Sequence, residues 1–144
     1  MILKFNKIRN LIPHRYPFLL VDKIVDFSEN DSAIGIKNIV YGDPYLEYDI
    51  DENQYYPIEL MIESLGQLTA MLYAISNPNG KREFILGSIK GIEICHRVPA
   101  NSQIKLEVKI SHMTENYAIA SGSAFCNGIA VLKVEEFICK INPI

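Results

Sequence analysis

Only one stretch of this chain is patterned as a helix of several turns, and almost everything after it is patterned as strand. From Pro57 to about Ser76 the residues are apolar on most sides, with Leu60, Met61, Ile62, Leu65, Leu68, Met71 and Leu72 spread around the helix. A helix without a broad polar face has to be covered by other elements. Proline suits its first position, because the missing N–H would be unpaired there anyway. The run Asn77-Pro78-Asn79-Gly80 stops it.

The cover is supplied by period-two segments. Phe84 to Val98 is a long apolar strand with glycines at 87 and 91 that suggest bends or bulges. Ile104, Leu106, Val108 and Ile110 alternate with Lys105, Glu107 and Lys109, and Ala118, Ala120, Gly122 and Ala124 lie on one side of the next strand. Asn127-Gly128 predicts a tight hairpin into a last strand, Ala130 to Ile141. Before the helix, Leu3 to Ile12 reads as a short helix ended by Pro13, and Phe18 to Phe27 reads as a strand. Asn30-Asp31 turns that strand into Ala33 to Val40, where Ile34, Ile36 and Val40 alternate against Lys37 and Asn38. Tyr45 to Tyr56 is a polar, tyrosine-rich loop. Helix, hairpin, long helix and antiparallel strands make an α+β layout, a single domain over residues 1–144, with an antiparallel sheet wrapped around one long central helix.

Composition removes several function classes. Net charge is −3 and no basic block stands out, so nothing favours nucleic acid or a membrane surface. The apolar stretches are expected to be too short and too interrupted to span a bilayer. Lys4, Asn6, Lys7, Arg9 and Asn10 break the apolar run a signal peptide needs. Cys95, Cys126 and Cys139 are odd in number and lack CxxC spacing, which predicts buried thiols in a reducing compartment, the cytoplasm by default. No His/Asp/Glu spacing suits a metal, and no P-loop, G-x-S-x-G or dinucleotide fingerprint is present, so no cofactor is expected.

Three patches carry a family resemblance. Leu11-Ile12-Pro13-His14-Arg15-Tyr16-Pro17-Phe18-Leu19-Leu20-Val21-Asp22-Lys23 closely resembles the N-terminal signature of the 3-hydroxyacyl-acyl-carrier-protein dehydratases. Ile36-Lys37-Asn38-Ile39-Val40, followed by Asp43-Pro44-Tyr45, is similar to their second motif. Pro57 to Gln67 resembles the start of their central helix, with Ile62-Glu63-Ser64-Leu65-Gly66-Gln67 in place of its glutamate motif. The likeness covers nearly the whole chain, and its specific motifs fall in roughly the first half. It implies the hot-dog fold, an acyl thioester on carrier protein or coenzyme A as partner, and a homodimer that in this family extends to a trimer of dimers.

The resemblance also places the site. Aligned without gaps, the family's catalytic histidine falls on Asp49, and its helix glutamate fourteen residues later is Glu63. Of the glycine- and proline-rich loop around that histidine only Pro57 is kept; the loop here runs from Tyr48 to Tyr56. Dehydration of a 3-hydroxyacyl thioester needs a base for the proton beside the carbonyl, an acid for the leaving hydroxyl, and a donor for the enolate-like oxygen. The implied parts are Asp49 and Glu63 as a carboxylate pair and the Ile58 N–H, on the positive end of the helix opened by Pro57, for the carbonyl. Gln67 and Tyr56 are the further substrate contacts.

Each assignment has a plainer counterpart. A carboxylate, with an unperturbed pKa of ~3.9 against ~6.5 for imidazole, is a weaker base at neutral pH. Asp49 also lies in an acidic run with Glu47, Asp51 and Glu52, where a solvated loop residue is the simpler reading. In so apolar a helix Glu63 is either a neutral, proton-donating acid or a structural glutamate with a fixed partner. His14 reads as structural, and His96 and His112 as surface residues. The tyrosines of the loop either pack at an interface or narrow an acyl tunnel. Three functions stay open: a divergent dehydratase or hydratase, a thioesterase using Glu63, and a non-catalytic subunit that binds acyl chains or partners an active enzyme.

Overall fold

The computed structural model describes residues 2–80 and 82–143. A four-residue helix, α1 (Phe5–Ile8), leads through an irregular segment into strands β1 (Lys23–Ser28) and β2 (Ser32–Ile39). Two short strands, β3 (Glu47–Tyr48) and β4 (Gln54–Tyr56), precede the central helix α2 (Ile58–Ser76). Strands β5 (Arg82–Ile94), β6 (Val98–Pro99), β7 (Ser102–Met113), β8 (Tyr117–Cys126) and β9 (Ile129–Pro143) follow. Six of the strands form one antiparallel sheet in the order β1-β2-β7-β8-β9-β5; β3, β4 and β6 form a small second sheet. The large sheet curls around α2, so the core is the inner face of the sheet plus most of the helix. This is the hot-dog arrangement, with α2 as its filling.

Burial explains why α2 does not behave as a membrane helix. At 19 residues and a mean hydropathy of 1.2 it is long and apolar enough to cross a bilayer, contrary to the sequence expectation. The sheet takes that role instead: Met61, Leu65, Leu68, Met71 and Leu72 are fully buried. Pro57 stands one position earlier than expected, as the N-cap, and Ile58 is the first helical residue.

The strand carrying Lys37 turns the other way from the expected alternation. Ala33, Gly35, Lys37 and Ile39 are the buried set on β2, while Ile34 and Ile36 are only half-buried. Gly35 gives the reason. A Cβ there would stand 3.1 Å from a methyl of Leu68, so the bare backbone is what lets the helix seat. Gly122 on β8 does the same under Leu65, at 3.1 Å, with Phe137 at 3.3 Å. Gly122→Val is therefore expected to overpack this seam and cost about 1–3 kcal/mol, read as a lower urea midpoint at an unchanged slope.

Other expectations hold or shift for visible reasons. Asn127 and Gly128 both have positive φ, at 52° and 78°, as the tight β8–β9 hairpin requires. Gly87 marks a bulge where the β5–β9 register shifts. The first helix is shorter than Leu3 to Ile12, because Leu3 leaves it to bridge the β1 edge at Ile24, exchanging two backbone hydrogen bonds of 2.7 and 2.9 Å. Phe18 to Asp22 is irregular rather than strand. The tyrosine-rich loop is partly ordered by β3 and β4.

Candidate active site

Glu63 projects from the second turn of α2 beside a cavity of about 30 Å³, lined by His14, Glu63, Gly66, Gln67, Ala70, Phe84, Leu86 and Cys139. Its position is fixed by Gln67, one turn on. The Gln67 amide donates 3.3 Å to Glu63 Oε1 and 2.8 Å to the carbonyl of Phe18, while its own oxygen accepts from the Leu20 N–H at 2.9 Å. Gln67 is 1% exposed and so stitches the irregular segment before β1 onto the helix. That stitching explains why Phe18 to Asp22 is not a strand: its backbone groups at Phe18 and Leu20 bond a side chain instead of a ladder.

The same segment carries His14 to the glutamate. Its Nε2 lies 3.8 Å from Glu63 Oε1, and each side chain is 26% exposed. That separation is too long for a hydrogen bond. The other ring nitrogen, Nδ1, is buried without a hydrogen-bond partner among the described residues. The ring leans on Phe18, with centroids 6.0 Å apart, and Arg15 ties the loop down by donating to the carbonyls of Ile12 and His14 at 2.8 and 2.7 Å. Cys139 completes the cavity wall. Burial pushes its thiol up to about 12, and the nearby Glu63 carboxylate adds to the shift, so the thiol stays neutral near pH 7.

Asp49 occupies a different environment within the protomer. It shapes the turn between β3 and β4. Its Oδ1 accepts from the N–H groups of Asp51 and Asn53, both at 2.9 Å, and Oδ2 accepts from the Asn53 side chain at 3.1 Å. Backbone bonds from Asp49 N–H to the Asn53 carbonyl and from Glu52 N–H to the Asp49 carbonyl close the turn, with Glu52 at φ 63°. Arg97, stacked on Tyr55 at 4.1 Å, approaches Oδ2 to 3.7 Å. Partial burial alone would push the Asp49 carboxyl up; the bonds from Asn53 and Asp51 and the Arg97 charge outweigh it and hold the carboxyl below its ordinary 3.8. A depressed folded value stabilises the fold above the unfolded value, and that contribution is lost as pH falls through the folded one. Asp49→Asn is thus expected to lower stability at pH 7, with the difference from the parent closing as the pH drops below 3.8. Urea midpoints from pH 7 down to pH 2 would check this.

The remaining expected contacts divide. Gln67 lies against Glu63, as described. The Ile58 N–H has no hydrogen-bond acceptor among the described residues; it stands at the open first turn of α2, where the Leu60 and Met61 N–H groups donate to the Pro57 carbonyl. Tyr56 is 3% exposed and packs in the core with the Lys37 ammonium 4.6 Å from its ring centre. Burial, with Asp43, Tyr45 and Asp22, raises the Tyr56 hydroxyl's pKa. Burial lowers that of Lys37 while Asp22 and Asp43 act against the shift. Within one protomer, then, the structure gathers Glu63, Gln67, His14 and Cys139, and leaves Asp49, Pro57, Ile58 and Tyr56 off the wall of that cavity. His14 and Cys139 had no periodic or spacing signal. For His14 the only hint is that it stands within the long N-terminal motif.

Sheet and helix together define a hot-dog protein. The chain belongs to the FabA-like family, whose domain model it matches over residues 12–135. It is 30% identical over 139 residues to the 3-hydroxyacyl-[acyl-carrier-protein] dehydratase FabZ of Clostridioides difficile (strain 630), covering 96% of this chain and 93% of that one. It is 36% identical over 121 residues to the FabZ of Thermoanaerobacter sp. (strain X514), covering 81% and 82%. Among solved structures, the dehydratase heterocomplex ApeI:P from Xenorhabdus doucetiae superposes with a TM-score of 0.80 at 13% identity, over 95% of this chain and 91% of that one. The protein smu.793 of Streptococcus mutans UA159, bound to acetyl CoA, gives 0.66 at 11% identity, over 91% and 94%. At such identities these two bear on the fold alone.

Proposed function

We propose that this chain is an acyl-thioester dehydratase that removes water from a 3-hydroxyacyl group carried on a pantetheine arm, with Glu63 as its acid. The observation that carries the reading is Glu63 itself. A carboxyl is held on the central helix by Gln67, at the edge of a cavity with room for about one hydroxyl, since one water needs roughly 10–15 Å³. In the reaction the Cα–H bond breaks with its proton going to the Glu63 carboxylate, which thereby becomes the acid. The C3–O bond breaks as Glu63 protonates the leaving oxygen, and water departs as the Cα–C3 double bond forms. The Ile58 N–H, at the positive end of α2, is placed to hold the thioester carbonyl. Membership of a family with FabZ relatives supports the substrate class. Carrier protein and coenzyme A share the pantetheine arm, and both fit. Free thiols at Cys95, Cys126 and Cys139 fit a cytoplasmic enzyme.

The active form in this proposal is a homodimer, itself able to assemble as a trimer of dimers. Strand β5 is the support for the dimer: it ends the sheet with one side unpaired, and it exposes Ile85, Ile89, Ile92 and Ile94. Asp49 is assigned to its turn. Its carboxylate accepts three hydrogen bonds from its own loop, two at Oδ1 and one at Oδ2, which makes it a poorer base.

The test is direct. Purified protein is incubated with a 3-hydroxyacyl carrier protein and, separately, with a saturated acyl thioester. Loss of water from the first, followed by mass spectrometry, is the expected result. Release of free thiol from the second would replace elimination with hydrolysis by Glu63. Neither reaction would assign the chain to acyl binding or to service as a partner subunit, the reading that the tied-up Asp49 favours.

A further inference from the structure

We infer that His14 and Glu63 form a two-partner subsite for a hydroxyl substituent on the acyl chain, so that the protein selects 3-hydroxyacyl over saturated thioesters through His14. The inference deepens the proposed function and rests on its acyl-thioester ligand. Three observations carry it. First, the two side chains face each other at 3.8 Å, too far to bond one another yet close enough that one oxygen atom beside the pair lies within hydrogen-bond reach of both. Second, the space they flank is about 30 Å³ and is otherwise walled largely by Gly66, Ala70, Phe84 and Leu86. An oxygen entering it meets His14 and Glu63 as its strong polar partners, beside the weakly polar Cys139 thiol and with Gln67 already engaged at Phe18 and Leu20. Third, His14 Nδ1 is buried and unpartnered among the described residues. A buried N–H without an acceptor is costly, so the neutral ring keeps its proton on Nε2, the nitrogen turned toward Glu63.

The chemistry follows from counting lone pairs. A hydroxyl oxygen has two, of which one accepts a bond from the His14 Nε2–H, while the hydroxyl's own proton is given to Glu63 Oε1. The His14 bond polarises the C3–O bond in the direction in which it breaks. A saturated chain offers nothing to either side chain.

Binding tests this without relying on turnover. The probes are 3-hydroxyoctanoyl- and octanoyl-pantetheine in which an amide replaces the thioester, so that neither is hydrolysed. The proteins are the parent, His14→Phe, which keeps a planar ring against Phe18, and His14→Asn, which keeps a short donor; thermal unfolding shows that each is folded. The expected result is a preference of about tenfold for the hydroxylated probe in the parent. It disappears in His14→Phe and returns in part in His14→Asn. A preference that survives in His14→Phe overturns the inference, as does an equal loss for both probes, which would make His14 a purely structural residue. If the parent binds both probes alike, the subsite fails while the acyl-thioester reading stands. If it binds neither, both fail together.

Discussion

Glu63→Gln is expected to lower kcat for dehydration of a 3-hydroxyacyl thioester by about 10²–10⁴-fold, with KM and thermal stability nearly unchanged. The substitution is close to isosteric. Its amide oxygen still accepts from Gln67 in the place of Glu63 Oε1, so the lacing of the Phe18–Leu20 segment onto α2 is preserved. Shape and cavity stay; the transferable proton goes. The loss therefore falls on kcat, because the proton moves only as the C–O bond breaks. Glu63→Asp offers a second handle. It keeps the acid but withdraws it by one methylene from the Gln67 amide and from His14, and its activity should fall between glutamine and parent. Asp49→Ala, by contrast, should disturb the β3–β4 turn while sparing much of kcat. An Asp49→Ala protein as inactive as Glu63→Gln would overturn the assignment of Asp49 to its turn. Full activity in Glu63→Gln would overturn the acid itself.

Much of the fold was legible because its signals are local and strong. A proline at the start, a helix apolar all round and the Asn77–Gly80 stop place α2 within one residue at its start. The clean alternation of β7 and β8 gives the buried faces now seen, Ile104, Leu106, Val108 and Ile110 on one strand and Ala118, Ala120, Gly122 and Ala124 on the next. What failed did so where tertiary packing outranks pattern. On β2 the inward face holds a glycine and a lysine, because Leu68 takes the space that a side chain at Gly35 would fill, and Lys37 lies over Tyr56. Strands of two and three residues, such as β3, β4 and β6, are too short to show a period at all. The site divides the same way. Glu63 was legible by its motif, whereas the partnership of His14 with it runs through an irregular segment held by one glutamine, and no local spacing encodes that. The hydrogen bonding of the Asp49 carboxylate within its turn was hidden too, since it depends on Asn53 and on the turn that Glu52 completes at positive φ.

Lysine at both Ile89 and Ile92 is expected to convert a dimeric parent into a folded monomer and to remove most of its activity. The two edges of the large sheet are treated differently by the chain. At β1 the strand has six residues, and Leu3 bridges its outer side at Ile24. At β5 the strand has 13 residues and, among the described residues, pairs with β9 alone. Ile89 and Ile92 are 37% and 45% exposed there, so the edge combines unpaired backbone groups with apolar side chains. Such an edge is a template for another strand, and proteins that leave one open usually guard it with charge. A second copy paired about a two-fold axis would continue the sheet and cover the isoleucines. Lysines at both positions place like charges close together across that axis and restore the guard. The fold of each protomer should survive, since neither side chain belongs to the buried core. The cavity is expected to feel the change through its own wall, because Phe84 and Leu86 come from the same strand. Sedimentation or size-exclusion mass measurements read the first half of the prediction. The second half is read by activity that rises with protein concentration as the residual dimer forms. Ile129→Lys, at the β8–β9 hairpin and 59% exposed, is the control and should leave mass and activity alone. A double-lysine protein that stays dimeric would remove β5 from the interface, and one that becomes monomeric with full activity would place the whole site within a single protomer.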